Sequence, residues 1–176
     1  VVGSTNVGGI IGTTSGTEIS RCENNSGIVG EENVGGIVGY SSEATTNISR
    51  NYNSASVTGN NIVGGIVGFS SSSITRCENT ADLGCNETIL GGIVGRILGN
   101  RSDVSAVKLY QCANLGSIYG GDTSEEETGD NIGGLVGVNT YASISVCYNS
   151  GNIGSLNVGY NIGGLVGVNV GIIESC

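Results

Sequence analysis

One apolar motif recurs along the whole chain: an aliphatic residue, two glycines, two more aliphatics and a third glycine. The glycine pair opens at Gly8, Gly35, Gly64, Gly91, Gly133 and Gly163, at intervals of 27, 29, 27, 42 and 30 residues. The unit is about 28 residues long, with one expanded copy, the fourth, over about 91–132. The preceding aliphatics are Val7, Val34, Val63, Leu90, Ile132 and Ile162. Downstream stand Ile19, Ile48, Ile74, Leu109, Ile144 and Ile173, each three residues ahead of Cys22, Asn51, Cys77, Cys112, Cys147 or Cys176. Two residues after that column come Asn24, Asn53, Asn79, Asn114 and Asn149. Four residues further on are Ile28, Val57, Leu83, Ile118 and Ile153, and a glycine follows each within two residues.

These apolar runs are short, β-branched and bounded by Gly, Asn and Ser, which is the pattern of strands. A helix fails because glycine recurs inside every candidate segment, at about 1 kcal/mol each. Each unit has roughly three strand-like pieces: around Val-Gly-Gly-Ile-Val-Gly, around Ile-x-x-Cys, and around the aliphatic after the Asn. A single unit cannot bury its own apolar face. Units stacked at about 4.8 Å, like residue above like, bury one continuous core. The sequence therefore predicts an all-β parallel β-helix, a β-solenoid of about six rungs, forming one domain over residues 1–176.

In that arrangement the aliphatic columns are core ladders. The glycine columns mark corners that need positive φ or close backbone approach. The Asn column (Asn24, Asn53, Asn79, Asn114, Asn149) suits a bend, because Asn tolerates the left-handed conformation and stacked amides can hydrogen-bond along the axis. A row of glycan-binding amides is the other reading of that column.

Composition changes the picture in one direction. The chain has 33 Gly, no Pro, Met, Trp or His, a single Phe, and 12% charged residues, so Ser, Thr, Asn and Gly cover the surface. Net charge is −9 with six Lys and Arg, which argues against nucleic acid and anionic membranes as partners. No apolar run approaches the roughly 20 residues of a membrane helix, so membrane insertion is not expected. The chain begins at Val1 with neither an initiator Met nor a signal peptide, as a mature product or an excised fragment would.

The best-formed copies run Gly133-Gly-Leu-Val-Gly-Val-Asn139, then Ile144-Ser-Val-Cys-Tyr-Asn-Ser-Gly151, then Ile153. They resemble the GLUG repeat of large bacterial surface and secreted proteins, including adhesins and the non-catalytic regions of some immunoglobulin-cleaving proteases. Departures are Asn51 in the Cys column, Arg96 after the fourth motif, and the long fourth unit. The resemblance implies an extracellular β-solenoid for display or adhesion, and it brings no catalytic residues with it.

Without His there is no Ser-His or Cys-His couple and no imidazole metal ligand. The acids Glu18, Glu23, Glu31, Glu32, Glu43, Glu78 and Asp82 are scattered or lie in loops, rather than paired for glycoside hydrolysis. The chain reads as a non-enzyme without cofactors. Cys22, Cys77, Cys112, Cys147 and Cys176 share a column, while Cys85 stands outside it. Two readings remain open for them: small hydrophobes in a core ladder, or disulfides between neighbouring rungs. The fourth unit carries the large decorations, Arg96–Tyr110 and Gly121–Asp130. The second holds Asp122, Glu125, Glu126, Glu127 and Asp130, which read as a solvated acidic loop or a weak Ca²⁺ site. Glycosylation triplets occur at Asn24, Asn47, Asn86 and Asn100.

Two functions follow from these features. One is a stalk or adhesive segment of a longer cell-surface or secreted protein, whose partners are its flanking repeats and a host glycan or protein. The other is a subunit that stacks head to tail on copies of itself, bringing Cys176 of one copy toward Cys22 of the next.

Overall fold

The computed structural model describes residues 1–86, 88–120, 130–155 and 161–176. Every regular element among them is a β-strand, and the strands stack turn upon turn in parallel register as a β-solenoid. The second turn shows the plan. It runs through Glu32–Gly35, Val38–Ser41, Asn47–Ser49, Tyr52–Asn53 and Val57–Gly59. Each of the first four turns holds five short strands where the sequence pattern suggests about three. The Gly-Gly pair breaks Val-Gly-Gly-Ile-Val-Gly into two strands, and Tyr52–Asn53 forms one of its own.

Corresponding strands pair to give four parallel sheets. The six-stranded sheet stacks Val7 on Val34, Val63, Leu90, Ile132 and Ile162. The ten-stranded sheet carries the two strands after the glycines, with Ile19, Ile48, Ile74, Leu109, Ile144 and Ile173 in one column. These two strands fuse into Val136–Ser145 in the fifth turn and Val166–Glu174 in the sixth, with a register shift between Thr140 and Ser143. A five-stranded sheet stacks the Asn column, and another stacks Ile28, Val57, Leu83, Ile118 and Ile153. Between the glycine corner and the long sheet, Ile10, Ile37, Ile66, Ile93, Leu135 and Leu165 form a further column. Each backbone N–H in it donates to the carbonyl of the next, at 2.8–3.1 Å.

The core is two columns rather than one. The larger holds Ile37, Val38, Ile48 and their equivalents with the stacked cysteines. The smaller holds Ile28, Val34, Val57 and their equivalents with Cys85. Single-residue layers of Val, Ile and Leu fill both, which is how a chain without Trp or Met reaches full burial of Ile37, Ile48, Ile66 and Ile74. The expanded fourth unit keeps this register. Val94–Leu98 and Lys108–Tyr110 pair with the next turn, and the extra residues loop out over 99–107, with Val107 tucked back into the core.

Candidate functional site

The Asn column lies at the waist between the two core columns. Asn24 Nδ2 donates to Asn53 Oδ1, Asn53 to Asn79, Asn79 to Asn114 and Asn114 to Asn149, each at 2.8 Å. The second amide hydrogen of Asn53, Asn79, Asn114 and Asn149 goes to the carbonyl two residues on, at 2.8–3.0 Å. Asn53, Asn79 and Asn114 are fully buried, so these amides face neither solvent nor a ligand. Asn24, a glycosylation triplet by sequence, is likewise buried, whereas Asn47, Asn86 and Asn100 are exposed.

The second glycine of each pair serves this ladder. A Cβ on Gly36 would lie 2.5 Å from Asn53 Cγ, and one on Gly65 would lie 2.5 Å from Asn79 Cγ. Gly9, Gly92 and Gly134 meet Asn24, Asn114 and Asn149 in the same way. These glycines are required by close approach and not by positive φ, because among the described glycines only Gly16 has φ in the left-handed region, at 64°. Close approach was one of the two roles expected of the glycine columns; the Asn ladder, by contrast, is not left-handed, which corrects the bend expected there. Among the described residues other than glycine, the left-handed ones are Asn6, Asn33 and Tyr141, and the position just before the Cys column, where Arg21, Arg50, Arg76, Gln111, Val146 and Ser175 have φ 53–57°.

Cys22, Cys77, Cys112, Cys147 and Cys176 are free thiols. The backbone N–H of Cys77 donates to Sγ of Cys112 (3.4 Å), that of Cys112 to Cys147 (3.3 Å) and that of Cys147 to Cys176 (3.5 Å). The thiols in turn donate to backbone carbonyls two residues back, at 3.2–3.4 Å for Cys77, Cys112 and Cys147. Burial pushes the Cys112 thiol well above its ordinary range. Asn51 reproduces both roles of a stacked thiol. Its Oδ1 accepts from Cys22 N–H at 2.9 Å, and its Nδ2 donates to the Ile19 carbonyl at 3.0 Å. An amide therefore continues the column where sulfur is missing. Cys22 is half-buried in the first turn and Cys176 is exposed in the sixth, at opposite ends of the column.

Of the acidic candidates, Asp122, Glu125, Glu126 and Glu127 lie outside the described residues. Asp130 is buried, and its backbone carbonyl accepts from Asn161 N–H at 3.0 Å. Among the described residues no group of His, Cys, Asp and Glu is placed to hold a metal ion, and no helix is long and apolar enough to cross a membrane.

Two surface features escape a column-by-column reading. Tyr40 and Phe69 stack on adjacent turns with ring centroids 4.9 Å apart, on the column that continues to Arg96 and Val138. A groove of about 350 Å³ opens beside the long sheet, lined by Thr75, Ser105, Lys108, Tyr110, Ser143, Ser145 and Glu174. No protein-family model, no curated protein and no solved structure matches the chain.

Proposed function

We propose that this chain is a structural and adhesive segment of a cell-surface or secreted protein, a β-solenoid stalk that displays its lateral face to other molecules. The stacking of like on like, turn after turn, carries the reading: Ile37, Ile66, Ile48 and Ile74, each covered by column mates on both sides, are 0% exposed. A turn of this kind is a template for another of the same kind. Flanking repeats of a longer polypeptide supply that turn in this reading. The lateral surface supports display rather than chemistry: it is built of Ser, Thr, Asn and Gly, and the chain has no His to act as base or ligand. The GLUG-like copies from Gly133 onward point to the same extracellular class.

The same turn-on-turn stacking also favours a second reading, in which copies of the chain stack head to tail into a fibre. A heterologous contact of that kind does not close. Antibodies against the chain separate the two readings. Labelling of intact cells, together with a native polypeptide far heavier than 17.6 kDa, is the expected result. Filaments assembled from 17.6 kDa subunits would replace the stalk with the fibre, and labelling only after lysis would overturn both.

A further inference from the structure

Half of the chain's six basic residues stand in one line. Arg21, Arg50 and Arg76 occupy the same position on three successive turns. Their backbone N–H groups donate to Ser49, Thr75 and Tyr110 of the next turn, at 3.2, 3.0 and 2.8 Å. The column therefore repeats at the strand spacing of about 4.8 Å. All three side chains are exposed. Arg76 Nε donates to Gln111 Oε1 at 2.9 Å, which extends the line by one turn as a polar contact. Glu23 and Glu78 sit two residues further on, in the column of Tyr52, yet among the described residues no carboxylate lies within 4.0 Å of any of the three guanidinium groups.

Neither backbone nor packing asks for arginine here. The position is left-handed, φ 55–57°, a conformation that Asn and Gly adopt at the lowest steric cost. This same chain uses Asn at its left-handed sites in the neighbouring sheet, Asn6 (φ 55°) and Asn33 (φ 52°). Placing like charges one rung apart is itself unfavourable. The arginines are therefore held for what their side chains meet.

We propose that the Arg21–Arg50–Arg76 column is the binding site for a linear acidic polysaccharide, whose anionic groups lie along the solenoid axis. Guanidinium forks match carboxylate and sulfate oxygens, and three in a line fit a chain better than a compact anion. Immediately before each arginine runs a parallel column of hydroxyls, Ser20, Ser49, Thr75 and Tyr110, continuing to Ser145. Ser49 is buried, whereas Ser20, Thr75, Tyr110 and Ser145 are half-buried and can take the sugar hydroxyls. The groove over Thr75, Tyr110 and Ser145 lies at the end of this strip and adds Lys108, with Glu174 at its far edge. A net charge of −9 disfavours the broad, dense phosphate surface of duplex DNA, while a single sugar chain engages only the basic line. The inference deepens the adhesive reading and rests on it for the setting in which such polymers are met.

The test is retention of the purified chain on immobilised polyuronate and on immobilised sulfated polysaccharide, eluted with salt. The two matrices separate carboxylate from sulfate as the preferred anion. The triple variant Arg21→Asn, Arg50→Asn, Arg76→Asn keeps a residue suited to the left-handed backbone. It should lose about tenfold or more in affinity on the better matrix and show a shallower salt dependence. Arg50→Asn alone should weaken binding, whereas the charge-matched Arg101→Ser, off the column and facing Tyr141, should not. A folded triple variant that binds as tightly as the parent would overturn the proposal. So would equal losses for Arg50→Asn and Arg101→Ser, duplex DNA competing better than either polysaccharide, or no retention on either matrix near 0.15 M salt. Were the triple variant to misfold, the two single variants still decide. Failure here leaves the stalk reading standing, because that reading is judged by surface labelling and native mass.

Discussion

A methyl group at Gly36 would press into Asn53 Cγ at 2.5 Å and into the Gly65 backbone carbonyl, whereas one at Gly164 would meet nothing within 4 Å. The two glycines occupy the same column, and they differ because Gly164 has neither a ladder Asn in its own turn nor a further turn stacked on it. Gly36→Ala should therefore cost several kcal/mol or prevent folding, on the order of an overpacked core site. Gly164→Ala should change stability by no more than about 0.5 kcal/mol. Thermal melts of the two variants make the comparison, and equal effects would remove the proposed glycine–asparagine contact. Asn53 is the other half of that contact. Asn53→Leu deprives Asn24 of its acceptor and Asn79 of its donor, and leaves the Ala55 carbonyl without the amide. It should destabilise by about 1–3 kcal/mol in denaturant titration. An unchanged midpoint would show that the ladder only fills space.

At the scale of the element, the Cys column behaves as a hydrogen-bonded strand edge made of thiols. The sulfurs of Cys77, Cys112, Cys147 and Cys176 each accept an N–H from the adjoining turn and donate to a carbonyl. Burial raises Cys112 well above its usual range, which keeps it protonated and unreactive at about pH 8. Alkylation of the folded protein at that pH should modify Cys176 quickly and Cys22 more slowly. Cys77, Cys85, Cys112 and Cys147, all buried, should react only after denaturation. Peptide mapping by mass spectrometry reads this directly, and rapid native labelling of Cys112 would contradict the packed column. The five-strand turn has an equally local origin. The left-handed residue before each Cys turns the chain sharply, and it separates Asn47–Ser49 from Tyr52–Asn53 in the second turn.

For the whole molecule, stability is a sum over turns and their interfaces, since each turn contacts its neighbours and little else. Gly64 and Gly91 are register partners, so deleting the 27 residues 65–91 joins equivalent points and stacks Asn53 on Asn114. That variant should keep its β-sheet circular dichroism and melt cooperatively at a somewhat lower temperature. Deleting only residues 65–78 removes half a turn, joins Gly64 to Asn79 of a different sheet, breaks the stacking between the second and fourth turns, and should abolish the single cooperative transition. Retention of the native spectrum by the half-turn deletion would refute stacking as the source of stability.

The amino-acid sequence by itself determined which positions are equivalent. Like stacks on like in a solenoid, so Val34, Ile37, Ile48, Asn53 and Val57 each announce their column by recurring, and the stacking of turns, the parallel register and the core ladders follow from that. Recurrence reports equivalence along the axis and is silent about which different columns meet across a turn. Only the tertiary structure decided that the second glycine of each pair faces the Asn ladder, that the core divides into two columns at this waist, and that Asn51 replaces a thiol atom for atom in hydrogen bonding. It also placed the left-handed bend at the arginine column rather than at the Asn ladder, and settled close approach as the role of the paired glycines. Backbone conformation there is set by closure of the turn around a packed interior, and a residue tolerant of that bend leaves no mark when the side chain was kept for another purpose.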